Sequence, residues 1–205
     1  MTATITRLYD DYATASQAVT SLESAGVPQS DISIVSNNSD NWYSNKSGKV
    51  DRDRDGVDDR AEGAAKGAGI GATVGGVAGL LAGLGMIAIP GVGPVVAAGW
   101  LVATLTGAAA VGTLGGVVGA LTQSGVSEKD AHVYAEGVRR GGTLVSARVP
   151  DGDKARYEAI LNRSAVNIQT RGEAFRSSGW SGYDPKAPQF TAEQVRAERE
   201  RYRAR

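Results

Sequence analysis

The residues of this 205-residue chain best suited to chemistry lie in one acidic run, Asp51-Arg-Asp53-Arg-Asp55-Gly56-Val57-Asp-Asp59-Arg-Ala-Glu62. Their spacing fits an EF-hand calcium loop: oxygen ligands come from Asp51, Asp53, Asp55, the Val57 carbonyl, Asp59 and Glu62. Gly56 permits the sharp turn, and Glu62 stands where a carboxylate binds through both oxygens. Clustered carboxylates repel one another unless a hard cation such as Ca2+ neutralises them. Two features depart from the pattern. Asp58 occupies a position usually held by a β-branched apolar residue, and the preceding Asn37–Gly48 is Asn/Ser-rich, unlike an entering helix. The competing reading is a charged, solvated linker.

Other catalytic chemistry finds little to work with. The absence of cysteine removes disulfides, zinc thiolates and thiol nucleophiles. His132 is the only histidine, sits one step off the apolar face of its helix, and reads as a surface residue. No nucleophile elbow, phosphate loop or zinc-protease motif occurs. Gly67-Ala-Gly-Ile-Gly-Ala72 matches a dinucleotide fingerprint, but it follows the charged Arg60–Lys66 instead of a strand, so glycine density explains it. Twenty-two basic residues balance 22 acidic ones, which leaves no bulk field for nucleic acid. The expectation is a non-enzymatic protein, and no small-molecule substrate is identified from these residues.

The elements around these residues fall into two grammars. Residues 4–9 read as a strand, Asp10 and Asp11 as helix N-caps, and Ala15, Ala18, Val19 and Leu22 as one helical face. Gly26 and Pro28 stop that helix, and Ile32 and Ile34 mark a half-buried strand. After a long interval the pattern returns. Ser127-Glu-Lys-Asp130 caps a helix with Ala131, Tyr134, Ala135 and Val138 on one face, and Arg139-Arg140-Gly141-Gly142 closes it. Thr143–Val149 follows as a strand, Asp153–Ser164 as a helix and Ala165–Arg171 as a last strand. Four strands and two crossover helices predict an α+β, ferredoxin-like split β-α-β sandwich. Its halves are residues 1–38 and 127–171, interrupted by a polar linker (39–63) and an apolar insertion (64–126).

The insertion is chemically distinct. No charged residue occurs from Gly67 to Ser127. Gly67, Gly71, Gly75, Gly79 and Gly83 are spaced four apart, and Gly112/Gly116 and Gly115/Gly119 repeat the device. On helices these strips let another backbone approach closely. Ile89-Pro-Gly-Val-Gly-Pro94 is a turn, so the prediction is a glycine-zipper helical hairpin with helices over 64–88 and 94–123. Eight glycines in 67–87 each cost about 1 kcal/mol in a helix, which only lipid or close packing can offset. Membrane lipid is the first expected partner. The alternative is a soluble homo-oligomeric assembly or small-ligand-binding stress protein with the hairpin buried in the oligomer core, and self-association is expected either way.

The tail, 172–205, combines a Trp/Gly/Pro-rich linker with a capped, charged helix from Thr191, whose apolar face is limited to Val195 and Tyr202. Such a helix is expected to be solvated or partner-dependent. Trp42, Trp180 and Tyr183 suit either a membrane interface or docking onto the parent domain. The N-terminus lacks the apolar core of a secretory signal. The expected location is the cytoplasmic membrane with both termini on one side, expected to be the cytoplasmic side, or else the cytoplasm itself.

Leu8-Tyr-Asp-Asp-Tyr, Ala18-Val, Leu22-Glu, Ala25-Gly-Val and Asp31-Ile-Ser-Ile-Val resemble the general stress protein 17M-like (heat-induced stress protein) domain of bacteria. Ile89-Pro-Gly-Val-Gly-Pro and Gly137-Val-Arg-Arg-Gly-Gly-Thr-Leu-Val resemble longer proteins carrying that domain. The resemblance covers most of residues 4–150 and implies a stress-induced bacterial protein. It brings no catalytic residues.

Overall fold

A computed structural model describes residues 2–43, 80, 84–106 and 117–203. Strand β1 (Thr2–Tyr9) leads into helix α1 (Tyr12–Ser24), whose first turn is capped by Asp11 accepting from the Thr14 N–H at 2.7 Å. Ala15, Ala18, Val19 and Leu22 form its buried face, and Gly26, at φ 99°, turns the chain away after it. Strand β2 (Ile32–Asn37) follows. Next come β3 (Gly85–Ile89), β4 (Gly93–Gly99), and two short helices, α2 (Trp100–Thr106) and α3 (Val117–Gln123). Helix α4 (Glu128–Arg139), strand β5 (Thr143–Pro150), and helices α5 (Lys154–Leu161), α6 (Ile168–Ser177) and α7 (Ala192–Arg203) complete the described chain.

The protein is a mixed α/β structure on one five-stranded antiparallel sheet of order β1-β5-β2-β4-β3. Strand β5 sits between the two N-terminal strands. It pairs with β1 from Thr2↔Pro150 to Tyr9↔Thr143, and with β2 from Ile32↔Ala147 to Ser36↔Thr143. Strand β4 continues the sheet beyond β2, in register Ser33↔Gly99 to Asn37↔Val95. Each sheet face carries its own core. On one, α1 and α5 cover Ile5, Tyr9, Ile34, Val145 and Val149; on the other, α2, α3 and α4 cover Leu8, Val35, Val95, Ala97 and Leu144. Strand β2 is therefore buried at all six positions, where alternation had predicted a half-buried strand.

Three further differences from the predicted architecture have physical causes. The expected final strand, Ala165–Arg171, is mostly helix α6. Asn167 accepts hydrogen bonds from the Gln169 and Thr170 N–H groups and nucleates that helix, while only the Val166 N–H reaches β1, donating to the Leu8 carbonyl at 2.8 Å. The ferredoxin-like set of four strands is thus not formed. The predicted helical hairpin is only partly formed where it is described: Trp100–Thr106 and Val117–Gln123 are helical, but 85–89 and 93–99 are paired strands, from Gly85↔Ala97 to Ile89↔Gly93. Glycine and β-branched residues carry little helix propensity, and the Pro90–Val92 turn folds the segment back on itself as a β-hairpin. Gly91 has φ 77°, and a Cβ there would stand 2.5 Å from the Pro185 Cα. Lastly, α7 is docked on the body, not free in solvent, with Val195 fully buried.

The calcium-loop residues Asp51, Asp53, Asp55, Val57, Asp59 and Glu62 lie outside the described residues, as do Gly67, Gly71, Gly75, Gly79, Gly83, Gly112, Gly115 and Gly116. Gly119 is described: it is a buried position of α3. Among the described residues no helix is long and apolar enough to cross a membrane.

Candidate functional site

A dense group of charged side chains lies where α7 packs against the end of α4 and the end of β2. Glu136, in the last turn of α4, is 1% exposed. A carboxylate so buried needs charged partners. Arg139 supplies one at 3.1 Å and Arg140 another at 2.6 Å, reaching back from i+3 and i+4. Arg140 also binds Glu198 of α7 at 3.1 Å. Burial pulls the Arg140 pKa down, but Glu136 and Glu198 outweigh it and hold the guanidinium above its usual range. Aromatic rings complete its cage: the guanidinium stacks on Phe175 at 4.5 Å and reaches Phe190 at 5.5 Å. Arg139 lies 4.5 Å over the same Phe190 ring and donates to the Pro188 carbonyl at 2.6 Å.

Arg199 of α7 makes the second attachment. Its guanidinium donates to the Gly141 carbonyl at 2.8 Å and the Asn37 carbonyl at 3.1 Å, and it pairs with Asp40. It thereby ties α7 to the end of β2 and to the turn before β5. Arg171 of α6 makes the third: it binds Asp10 at 2.8 Å and lies 3.7 Å beneath the Tyr202 ring. Four arginines meet four carboxylates in this cluster. The cavity between them, lined by Arg140, Arg171, Glu198 and Tyr202, measures about 10 Å³, the room of roughly one water. With its cations committed to internal carboxylates, the cluster holds α4, α6 and α7 against the ends of β1 and β2.

The linker between α6 and α7 extends this attachment across the β3–β4 turn. Tyr183 is 7% exposed, and its hydroxyl donates to the Pro90 carbonyl at 2.7 Å. Burial pushes its phenol up to about 12. The Tyr183 N–H donates to His132 Nδ1 at 3.1 Å, so the lone histidine, expected at the surface, anchors the tail. Trp180 packs edge-on against Phe175 with ring centroids 5.7 Å apart. Thr191 and Gln194 exchange hydrogen bonds at 2.8 and 3.3 Å, the reciprocal cap expected from their spacing.

Of the side chains singled out from sequence, His132, Arg139, Arg140, Trp180, Tyr183 and Val195 are brought into this one region. Arg139 and Arg140 had been assigned only to the helix terminus, and the i, i+3 and i, i+4 spacing from Glu136 was the available signal for their ion pairs. Asp40, Arg171, Glu198 and Arg199 carry no local signal, because their partners are remote in sequence, and Asp10, expected as a helix cap beside Asp11, pairs with Arg171 instead. Trp42 packs on Tyr12 with centroids 4.7 Å apart and donates from Nε1 to the Asn37 carbonyl at 2.7 Å. Among the described residues, no three His, Cys, Asp or Glu side chains converge in the manner of a metal site. Comparison with protein-family models, curated proteins and solved structures finds no match.

Proposed function

We propose that this is a non-enzymatic protein that works by association, with its apolar insertion buried in protein: partly in its own core and partly against further copies of itself. The observation carrying this reading is the fate of residues 85–99. Val95, Val96 and Ala97 are at most 2% exposed in β4, which extends the central sheet, and Val92 in the turn before it is equally buried. Leu101, Leu105, Val117, Val118 and Leu121 fill the same core from α2 and α3. Apolar side chains already satisfied by the body have little left to gain from lipid.

Chain topology supports it further. Strands β2 and β4 pair in one sheet, so the chain between them leaves the body and must return to it. A bilayer crossing takes about 20 apolar residues, and an excursion that returns takes two crossings. The uncharged stretch before β3 begins only at Gly67, and 44–66 is dense in Asp, Arg and Lys. Membrane contact, if made, is therefore of the peripheral kind. The strip Gly67–Gly83 suits close backbone contact with a second copy. The likeness to general stress protein 17M-like domains supplies a stress-response setting, and Asp51–Glu62 a calcium input to the glycine strip that follows it.

The test is flotation of the full-length chain with phosphatidylcholine/phosphatidylglycerol vesicles, paired with light scattering in detergent-free buffer, each with and without Ca2+. The proposal predicts protein that stays dense and scatters as a multiple of 21.1 kDa. Flotation with vesicles would restore the membrane reading. A strict monomer would remove self-association.

A further inference from the structure

We propose that the C-terminal segment, Gly179–Arg203, is a releasable clasp on the β3–β4 hairpin, and that its helix α7 is the catch. The inference rests on the reading above for its purpose, because the hairpin is part of the apolar insertion. Its geometry stands independently.

The clasp touches the hairpin where the backbone leaves no clearance. Tyr183 closes on the Pro90 carbonyl at 2.7 Å, and Pro185 lies against Gly91 so closely that no Cβ fits. Gln189 crosses Gly93, where a Cβ would stand 3.2 Å from its Oε1. Beneath these contacts Ile89 and Val92 are 3% and 0% exposed. Further along, α7 holds the segment down through Arg199 on Asp40, Asn37 and Gly141, and through Glu198 on Arg140.

Two independent observations make the catch releasable. First, apolar burial contributes little to it: from Gly179 to Arg203, Tyr183 and Val195 are the buried apolar side chains, and only Val195 lies on α7. A helix held by ion pairs, one buried valine and the half-buried Tyr202 ring on Arg171 and Phe175 belongs to the low-stability end of a protein's local openings. Second, the docked state is imperfectly satisfied. Asp40 Oδ1 and Trp180 Nε1 are buried with no hydrogen-bond partner among the described residues. When α7 lifts, the Asp40 carboxylate that Arg199 covers regains water, which offsets part of the lost ion pairing. Gly179, at φ 89° with open space around it, sits where the segment leaves α6 and serves as the pivot. Opening the catch lets the clasp swing from the hairpin and bares Ile89 and Val92 for contact with a second copy.

The absence of cysteine allows a single-thiol reporter. Val92→Cys is made in the full chain and labelled with a maleimide, alone and with Arg199→Ala; Val35→Cys, in the centre of β2, is the control. Arg199 also contacts Asn37, the partner of Val95, so Glu198→Gln, whose partners Arg140 and Arg201 lie off the hairpin, is run beside it. Acceleration at position 92 in both backgrounds reports coupling through the clasp. The expected result is labelling at 92 faster by roughly tenfold or more in the Arg199→Ala background, with labelling at 35 unchanged. Equal acceleration at both positions, or none at 92, would overturn the clasp. Should Val92→Cys perturb folding, amide exchange at Gly91–Gly93 in the cysteine-free chain reads the same coupling with Glu198→Gln and Arg199→Ala. Exchange that quickens in 192–203 but not at the turn would overturn it equally. A coupled clasp on a strictly monomeric chain would leave this inference standing and remove the proposed self-association.

Discussion

Glu136 and Gly137 sit side by side on α4 and illustrate opposite demands of burial. Gly137 has no side chain because Leu8 of β1 occupies the space: a Cβ there would lie 2.5 Å from Leu8 Cδ2. Gly137→Ala is expected to cost about 1–3 kcal/mol, measurable by urea unfolding at unchanged m-value. Glu136 must keep its cations. Arg140→Met removes the nearer one while preserving bulk against Phe175, and is expected to cost about 3 kcal/mol. By contrast Arg201, whose side chain is 58% exposed in its pair with Glu198, should cost nothing measurable on removal. A denaturation series showing equal losses for Arg140→Met and Arg201→Ala would contradict this assignment.

Tyr183 adds a pH dependence at the same scale. Its phenol is raised to about 12 by burial, so the folded state holds the proton more tightly than the unfolded state does. The associated stability is fully present below pH 10 and is lost as pH rises from about 10 towards 12. Tyr9 and Tyr134 are shifted in the same direction by burial and steepen the loss at the alkaline end. Unfolding free energies across this window should fall with pH, and Tyr183→Phe should flatten the earliest part of the decline. A profile unaltered by Tyr183→Phe would show that its hydroxyl carries no such linkage.

Among the elements, those with caps and periodic faces were readable in advance, while those decided by distant partners were not. Helix α1 announces itself through Asp11 and its four buried apolar residues, and α4 through Ser127, whose hydroxyl accepts from the Asp130 N–H at 3.2 Å. The hairpin shows the limit. Gly-Met-Ile-Ala-Ile and Pro-Val-Val-Ala-Ala lack charge and so resemble a membrane segment, yet uncharged composition is equally that of a strand buried on a sheet. The turn between them was legible; what it joined was not. Gly99 held a stronger hint. Its φ is 93°, and a Cβ would collide with the Ile32 carbonyl, so it ends β4 where the chain must approach β2. Gly99→Ala is expected to destabilise by more than Gly137→Ala, since strained backbone adds to the clash. On α7, Val195→Ala removes about 1.5 kcal/mol of apolar burial and should quicken amide exchange in 192–203 before it alters global unfolding.

At the scale of the molecule, an insertion that looked separable is continuous with the body. Strands β3 and β4 extend the sheet built by β1, β5 and β2, and α2 and α3 close the face that a two-layer sandwich would leave to solvent. The second core this creates joins Leu8 near the N-terminus to Leu121 within the insertion and to Tyr183 in the tail. Long-range pairing of this kind is what a reading by local pattern cannot supply, because Asp40 and Arg199, or Tyr183 and Pro90, meet only once the sheet has formed.

The central claim is that residues 93–99 belong to the protein's own core and need no lipid to be buried. Amide hydrogen exchange of the full-length chain in vesicle-free, detergent-free buffer tests it most directly. Val95–Ala98 should exchange as slowly as the Ile34 and Val145 amides of the neighbouring strands, with protection unaltered when vesicles are added. Exchange of Val95–Ala98 within seconds in buffer, slowed only by vesicles, would contradict the account.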